Sequence, residues 1–384
     1  MRDILNESMK QLVQGGIRRY AGKESEYEDA INLCIGEPDV TTPKDIIDIA
    51  YKAMLDGKTH YTLNVGLEEL RYEISKYVKK FDINADYRTD IMVTCGAMGS
   101  LMMTFMALLD PGDEVILADP SWLNHASQIE LAGGIAVKCQ VCEKNDFNMR
   151  AEDIERKITN KTKAILINSP SNPMGSIIPW DELKKIAELA IKYDLFVVSD
   201  EIYNELSYDG TVLKSIASID GMKERTIVIN GFSKSFAMTG WRLGYTIAPS
   251  RLISKMSVLQ ENINSCASSI AQYAGVYALQ SMSGVSKMVL MYKKRRDIIV
   301  NGLNSIEGIT CKMPKGAFYV FPNISSFGIT SKEFAERLIE KTHVLTVPGS
   351  CFGQGGEGFL RLSYASSEDK LKEAVARIKE YVEK

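Results

Sequence analysis

Residues 164 to 200 decide the fold. They run Ala164-Ile165-Leu166-Ile167-Asn168, a turn Ser169-Pro170-Ser171-Asn172-Pro173-Met174-Gly175, an amphipathic stretch Pro179–Tyr193, and Leu195-Phe196-Val197-Val198-Ser199-Asp200. The two apolar runs have no polar face, so they read as strands buried on both sides. Strands of that kind belong to a parallel sheet sandwiched between helices, with the helical stretch as the crossover. Working outward, Ile91–Cys95, Glu114–Ala118, Ile135–Val141, Thr226–Asn230 and Arg242–Ala248 read as further strands. Ala97–Leu109, Trp122–Ala132 and Ala151–Ile158 read as helices, the first ended by Asp110-Pro111-Gly112-Asp113. The expected class is α/β: a large domain with a mostly parallel, seven-stranded sheet between helices, plus a smaller α/β domain.

The smaller domain is read from Ala317–Phe321 and Phe359–Tyr364 (strand-like) and Ser331–Lys341 and Glu368–Val382 (helical), with the helical region Arg251–Ile306 leading out of the large sheet. The expected division is an N-terminal arm and lid at 1–45 packing on the small domain, a large domain at 46–285 and a small one at 286–384. A chain of 384 residues is long enough for two or three domains. It has 46 Lys and Arg against 49 Asp and Glu, a net charge of −3. That balance offers no electrostatic case for nucleic acid or an anionic membrane. No stretch approaches the ~20 apolar residues of a membrane span, and Met1-Arg2-Asp3-Ile4-Leu5-Asn6-Glu7 lacks an apolar signal core. Seven scattered cysteines are an odd number and make poor disulfide material. A reducing, cytoplasmic setting is expected.

Three patterns are weighed and set aside. Cys139-Gln140-Val141-Cys142 has no second CxxC, and the chain has only three His, so no metal site is expected. Gly353-Gln354-Gly355-Gly356-Glu357-Gly358 matches GxGxxG but precedes a strand-like run instead of a helix, so it reads as a glycine turn. Met98, Met102, Met103 and Met106 at helical spacing read as core packing.

In a parallel sheet, ligands bind beyond the carboxyl ends of the strands. After Ile91–Cys95 comes Gly96-Ala97-Met98-Gly99-Ser100, a small-residue turn opening a helix, whose free N–H groups can hold a phosphate. After Ala164–Asn168 comes Asn172. After Leu195–Ser199 comes Asp200, an acid that needs a cationic partner if buried. After Thr226–Asn230 come Ser233 and Lys234, with Arg242 close by. A desolvated lysine can form a Schiff base, an acid can pair with a pyridinium nitrogen, and Arg, Ser and a helix N-terminus can hold a phosphate. That set is the equipment for pyridoxal 5'-phosphate.

The chain resembles the class I/II aminotransferases of the fold-type-I pyridoxal-phosphate enzymes, from Ile35-Gly36-Glu37-Pro38-Asp39 to Arg361-Leu362-Ser363-Tyr364-Ala365. The most specific stretch is Phe232-Ser233-Lys234-Ser235-Phe236-Ala237-Met238-Thr239-Gly240-Trp241-Arg242, with the lysine eight residues before the arginine. The resemblance implies that Lys234 is the Schiff-base lysine and proton shuttle. It implies that Asp200 partners the pyridine nitrogen and that Tyr203 and Asn172 donate to the cofactor's phenolic oxygen. Trp122 stacks on the ring, and His125 supports Asp200. Gly96, Ala97, Met98, Ser233 and Arg242 form the phosphate cradle, although Gly231 replaces a serine that some members use there. Tyr61 is the tyrosine given across a homodimer to the neighbour's phosphate. Arg361 binds the substrate α-carboxylate through a two-bond fork, with Gly36, Asn172 and the lid residue Ile17 beside it.

The implied reaction moves an amino group from an L-amino acid to a 2-oxo acid such as 2-oxoglutarate, in two half-reactions. Met98 stands where some aspartate and prephenate aminotransferases have a lysine. Asn262-Ile263-Asn264-Ser265-Cys266-Ala267-Ser268-Ser269 resembles the matching stretch of aromatic and N-acetyl-diaminopimelate aminotransferases. An aromatic or other bulky donor is therefore favoured. The alternatives are an aspartate aminotransferase, with Arg18 meeting a second carboxylate, and a β-eliminating C–S lyase on the same fold. A cofactor-sensing transcription regulator is disfavoured, because no DNA-binding segment or basic linker is visible.

Overall fold

The computed structural model describes residues 3–5 and 16–384. The rest of the expected N-terminal arm, and with it most of the segment read for a signal core, lies outside the described residues. The strands, in chain order, are β1 (Ile31–Asn32), β2 (Ile91–Cys95), β3 (Glu114–Asp119), β4 (Ile135–Gln140), β5 (Thr162–Asn168), β6 (Phe196–Asp200), β7 (Thr226–Gly231), β8 (Leu243–Ile247), β9 (Tyr319–Val320), β10 (Val344–Leu345), β11 (Val347–Pro348) and β12 (Leu360–Ser363). Seven of them form one sheet in the order β2-β8-β7-β6-β5-β3-β4. Only β8 runs against its neighbours; the other pairs in the sheet are parallel. The sheet is thus the mostly parallel, helix-covered one expected.

Alternation along the strands sends residues to two buried faces. Met92, Leu117, Leu166, Val198 and Ile229 meet Leu101, Phe105 and Ile253 on one face. On the other, Ile91, Val93, Val228 and Tyr245 meet Leu70, Ile74 and Ala274. Ile165, Ile167 and Val197 share that opposite side with Leu183 and Ile186 of helix Trp180–Lys192. That helix buries Leu183, Ile186, Ala187, Leu189 and Ala190. Asp181 and Glu182 in its first turn and Lys192 in its last complement its macrodipole. It stops just before Asp194, whose φ of 52° is left-handed.

Two smaller sheets accompany the large one: antiparallel β11-β12-β9, and β1 paired in parallel with β10 through Ile31↔Val344 and Asn32↔Leu345. Segment 31–34 is therefore fastened to the C-terminal part of the chain. Leu33 O accepts from Ser363 N at 2.8 Å, and Leu33 N donates to Leu345 O at 3.0 Å. Helices Ser331–Thr342 and Glu368–Glu383 pack on one another beside these sheets, and helix Ser283–Asn304 packs on the second of them.

The discarded patterns resolve in physical terms. Cys139 is buried on β4, Cys142 is exposed beyond it, and all seven cysteines are free. The glycine run forms short 3-10 turns that lead into β12, and Gly353 lies so close to Asp119 that a side chain there would collide with it. Of the methionine row, Met103 is in the core but Met106 is 43% exposed, which corrects the expectation of a uniformly buried stripe. Helical spacing groups these residues, but 100° per residue carries Met106 off the face that Met103 buries. Among the described residues, no helix is long and apolar enough to cross a membrane, and no His/Cys/Asp/Glu cluster could hold a metal.

Candidate active site

The parallel strands β2, β3, β5, β6 and β7 end along one edge of the sheet. The loops that follow them carry most of the chemistry-bearing residues. At the centre, β5 and β6 end in register, with Asn168 opposite Asp200. Asn168 Nδ2 donates to Asp200 O at 3.0 Å, and its Oδ1 accepts from Asn172 N at 2.9 Å. One strand-end side chain thereby sets the start of the next loop and holds Asn172, which is 7% exposed.

Asp200 is 3% exposed, and its Oδ2 lies 3.0 Å from His125 Nε2. His125 is wholly buried, with Trp122 set edge-on at 5.1 Å between ring centroids. Its Nδ1 has no hydrogen-bond partner among the described residues. The structure thus places His125 in direct contact with Asp200. Asp200 Oδ1 accepts from Ile202 N at 3.2 Å, which orients the carboxyl beyond the strand end.

Lys234 follows β7 and is mostly buried. Its Nζ donates to Gly36 O at 2.7 Å. Burial is the main cause that lowers its amine to about pH 8; Glu37 opposes that fall, while Arg242 and Arg361 add to it. A lysine so placed gives up its proton far more readily than one in water.

Arg361 on β12 is 1% exposed. Its Nη1 donates to Asn172 Oδ1 at 3.4 Å, its Nη2 donates to Cys34 O, and its Nε has no partner. No carboxylate pairs with it among the described residues. A buried guanidinium without a counter-charge costs several kcal/mol, on the order of 3–5, unless an anion arrives. Its geometry is that of an anion receptor.

A candidate anion cradle lies at Gly96. Its φ of 70° suits glycine, and a side chain there would run into the Arg242 guanidinium at 2.5 Å. Gly244 on β8 likewise leaves room for the Gly96–Ala97 backbone. Helix Gly96–Leu108 starts with no side-chain cap from Cys95, so its first N–H groups are free for a ligand. Arg242 is exposed, with its Nη1 donating to Thr239 O at 2.7 Å. Ser233 is buried, while Met98 is partly buried, its backbone O accepting from Gln128 Nε2 at 3.1 Å.

One expected residue stands apart from this cluster: Tyr61 is 87% exposed. Ile17, in helix Gly16–Ala21, is partly buried and packs against the same apolar cluster that holds Tyr203 and Tyr319. Sequence reasoning also missed participants. Tyr319 joins its hydroxyl to that of Tyr203 at 2.8 Å and lies under Arg361, and Cys34 contributes a backbone carbonyl. The only signal for Tyr319 was its place in the strand-like run Ala317–Phe321.

A mostly parallel α/β sheet with a lysine, an acid and an uncapped helix start at its carboxyl edge, and a buried arginine of β12 against Asn172, is the architecture of a fold-type-I transferase. The model of the class I and II aminotransferases matches residues 28–378, and the chain belongs to that family. An aspartate aminotransferase of Pyrococcus abyssi is 44% identical over 94% of both chains. The aromatic-amino-acid aminotransferase 2 of Thermococcus litoralis is 41% identical over 97% of both. Among solved structures, the aromatic aminotransferase from Pyrococcus horikoshii OT3 superimposes with a TM-score of 0.91 at 41% identity, covering 95% of this chain and 98% of that one. This chain is accordingly an aminotransferase.

Proposed function

We propose that this aminotransferase uses pyridoxal 5'-phosphate and prefers an L-amino acid with an aromatic or other bulky side chain, with a 2-oxo acid such as 2-oxoglutarate as acceptor. The observation that carries the reading is the pairing of a buried, unpaired Arg361 with the desolvated Lys234 amine. One site can receive a carboxylate; the other holds an amine that loses its proton more readily than in water.

The residues fit the cofactor. Asp200, backed by His125, is an acid to hold the proton on a pyridine nitrogen. Tyr203 and Asn172 offer donors for a phenolic oxygen. Gly96, Ala97, Met98, Ser233 and Arg242 would hold the phosphate, and Trp122 would cover the ring. When bound, the cofactor supplies an electron sink for the bond broken at Cα. Arg361 orients the substrate carboxylate, with Asn172 and Gly36 beside it. Lys234 would be the residue that takes and holds the proton from the substrate Cα. The buried walls exclude water while the proton is on the lysine.

Support for a bulky donor comes from the uncharged Met98 position and from the aromatic relatives named above. A specific observation favours a second donor: Arg18 is exposed on helix Gly16–Ala21, free to meet a second carboxylate. Aspartate would use it.

The high exposure of Tyr61 and Leu63, with Val258 and Ile263 exposed on the helix that Asn64 is bonded to, supports a homodimer that buries these residues and lends Tyr61 to the neighbouring site. The same proposal includes an arm at 1–45, a large domain at 46–285 and a small one at 286–384, with helix Ser283–Asn304 as the joint. Free cysteines support a reducing, cytoplasmic setting.

The test is initial rates with tyrosine, phenylalanine and aspartate, each against 2-oxoglutarate. Parallel double-reciprocal lines with the highest kcat/KM for an aromatic donor are expected. A preference for aspartate that Arg18→Ala abolishes would replace the donor. Pyruvate release from cysteine conjugates without any acceptor would replace the reaction.

A further inference from the structure

Tyr319 has no role in the reading above, yet it touches three residues that do. Its hydroxyl is 2.8 Å from the Tyr203 hydroxyl. The Arg361 guanidinium lies over its ring, 4.7 Å from the centroid. Its hydroxyl also backs onto Gly36, where any side chain would collide with it, and Gly36 O accepts from Lys234. Tyr319 is 1% exposed, so it is held in this position by packing.

We propose that Tyr319 is the positioning residue that makes Tyr203 a donor toward the cofactor and links that donor to whatever occupies Arg361. This rests on the pyridoxal-phosphate reading of the site. Each phenol has one proton to give. If Tyr203 gave its proton to Tyr319, none would remain for the cofactor's phenolic oxygen. With Tyr319 donating to Tyr203 Oη, the Tyr203 proton is free to point into the site. Among the described residues, Tyr203 is the sole hydrogen-bond partner of the Tyr319 hydroxyl, so the direction is set by these two groups.

The charge distribution favours the same direction. Burial raises both phenols. At Tyr319, Arg361 is the first influence opposing that rise; at Tyr203, it is the least, behind Tyr319 and Asp200, which add to the rise. The more acidic phenol is the better donor. A carboxylate on Arg361 offsets its charge and weakens that donor. Substrate arrival is thereby felt at the cofactor's oxygen.

The experiment is a pH titration of the visible band of the holoenzyme. A donor on the phenolic oxygen competes with the nitrogen-bound proton that would otherwise bridge to it. Losing the donor therefore raises the midpoint. Y319F keeps the ring under Arg361 and removes only the hydroxyl. It should raise the midpoint by about half a unit or more. Its kcat should fall several-fold, with KM for the amino acid held within about twofold. Y203F should move the midpoint the same way, and Y203F/Y319F no further than Y203F alone.

Replacement of Tyr319 by 3-fluorotyrosine, a stronger donor of nearly the same shape, should lower the midpoint. It keeps the proposal testable should Y319F not fold. An unmoved midpoint in these variants, or additive shifts in the double variant, overturns the proposal while leaving the site reading intact. A wild-type protein that shows no band on adding pyridoxal phosphate overturns both.

Discussion

At the residue scale, two charged groups are held away from solvent without the partners that would offset their burial. Lys234 and Arg361 both sit in the site, and each predicts an observable. Replacing Lys234 by Ala should lower turnover by more than about a thousandfold while cofactor binding survives through Arg242, Tyr203 and Asp200. Changing Arg361 to Lys keeps the charge but loses the fork, so KM for donor and acceptor should rise roughly tenfold or more. The Lys234 amine also leaves a mark on stability. Its folded value of about 8 lies below the 10.5 of the unfolded chain. Between those values the unfolded state binds more protons, so stability rises with pH. In cofactor-free protein, wild type should gain on the order of 1–3 kcal/mol from pH 8 to 10 relative to Lys234→Met. Urea midpoints of both proteins across that range test it, and parallel curves would contradict it.

Among the elements, β6 is the most informative. It ends in Asp200, Glu201 follows it, and the two acids go opposite ways. Asp200 turns to the site and His125, whereas Glu201 turns into the protein. There it accepts from Ser199 Oγ at 2.8 Å and Ser215 Oγ at 2.5 Å. Burial pushes its carboxyl up to about 7, against the pull of the two serines. The folded state therefore holds this proton more tightly than the unfolded chain. Its contribution to stability should fade as pH rises from 4.5 to about 7 and stay level above. Glu201→Gln should flatten that decline in urea titrations at pH 5 to 8; an unchanged slope would count against a buried acid titrating there.

The strands themselves were legible, because a short run that is apolar on both faces fits a strand covered from both sides and little else. The candidate residues Lys234, Asp200 and Asn172 stood out because they lie at or just past strand ends; Arg361, inside β12, was named only through the family resemblance. Tyr319 and the Cys34 carbonyl were not. They meet Tyr203 and Arg361 only because segment 31–34 pairs with β10 and β9 pairs with β12. No local pattern records contacts across 116 residues, as between Tyr203 and Tyr319, or 327, as between Cys34 and Arg361. Met106 shows the same limit: spacing names a face, and tertiary packing decides which face is covered.

For the whole molecule, the single chain leaves Tyr61 and Arg242 open to solvent, while Asp200, His125, Tyr203, Asn172, Ser233 and Arg361 are buried. The segment around Tyr61 is tied to helix Ser250–Ile263 through Gln260 and Glu261, which steadies the exposed patch. Sedimentation should give a dimer at micromolar concentration. Tyr61→Phe should weaken cofactor affinity by about 1 kcal/mol, roughly fivefold, without dissociating that dimer. A stable, active monomer would contradict the shared site.

The most direct measurement is to load the protein with pyridoxal phosphate, reduce it with borohydride and map the modified peptide by mass spectrometry. The account predicts a single pyridoxyl group, carried on Lys234. A group on another lysine, or none, would contradict it.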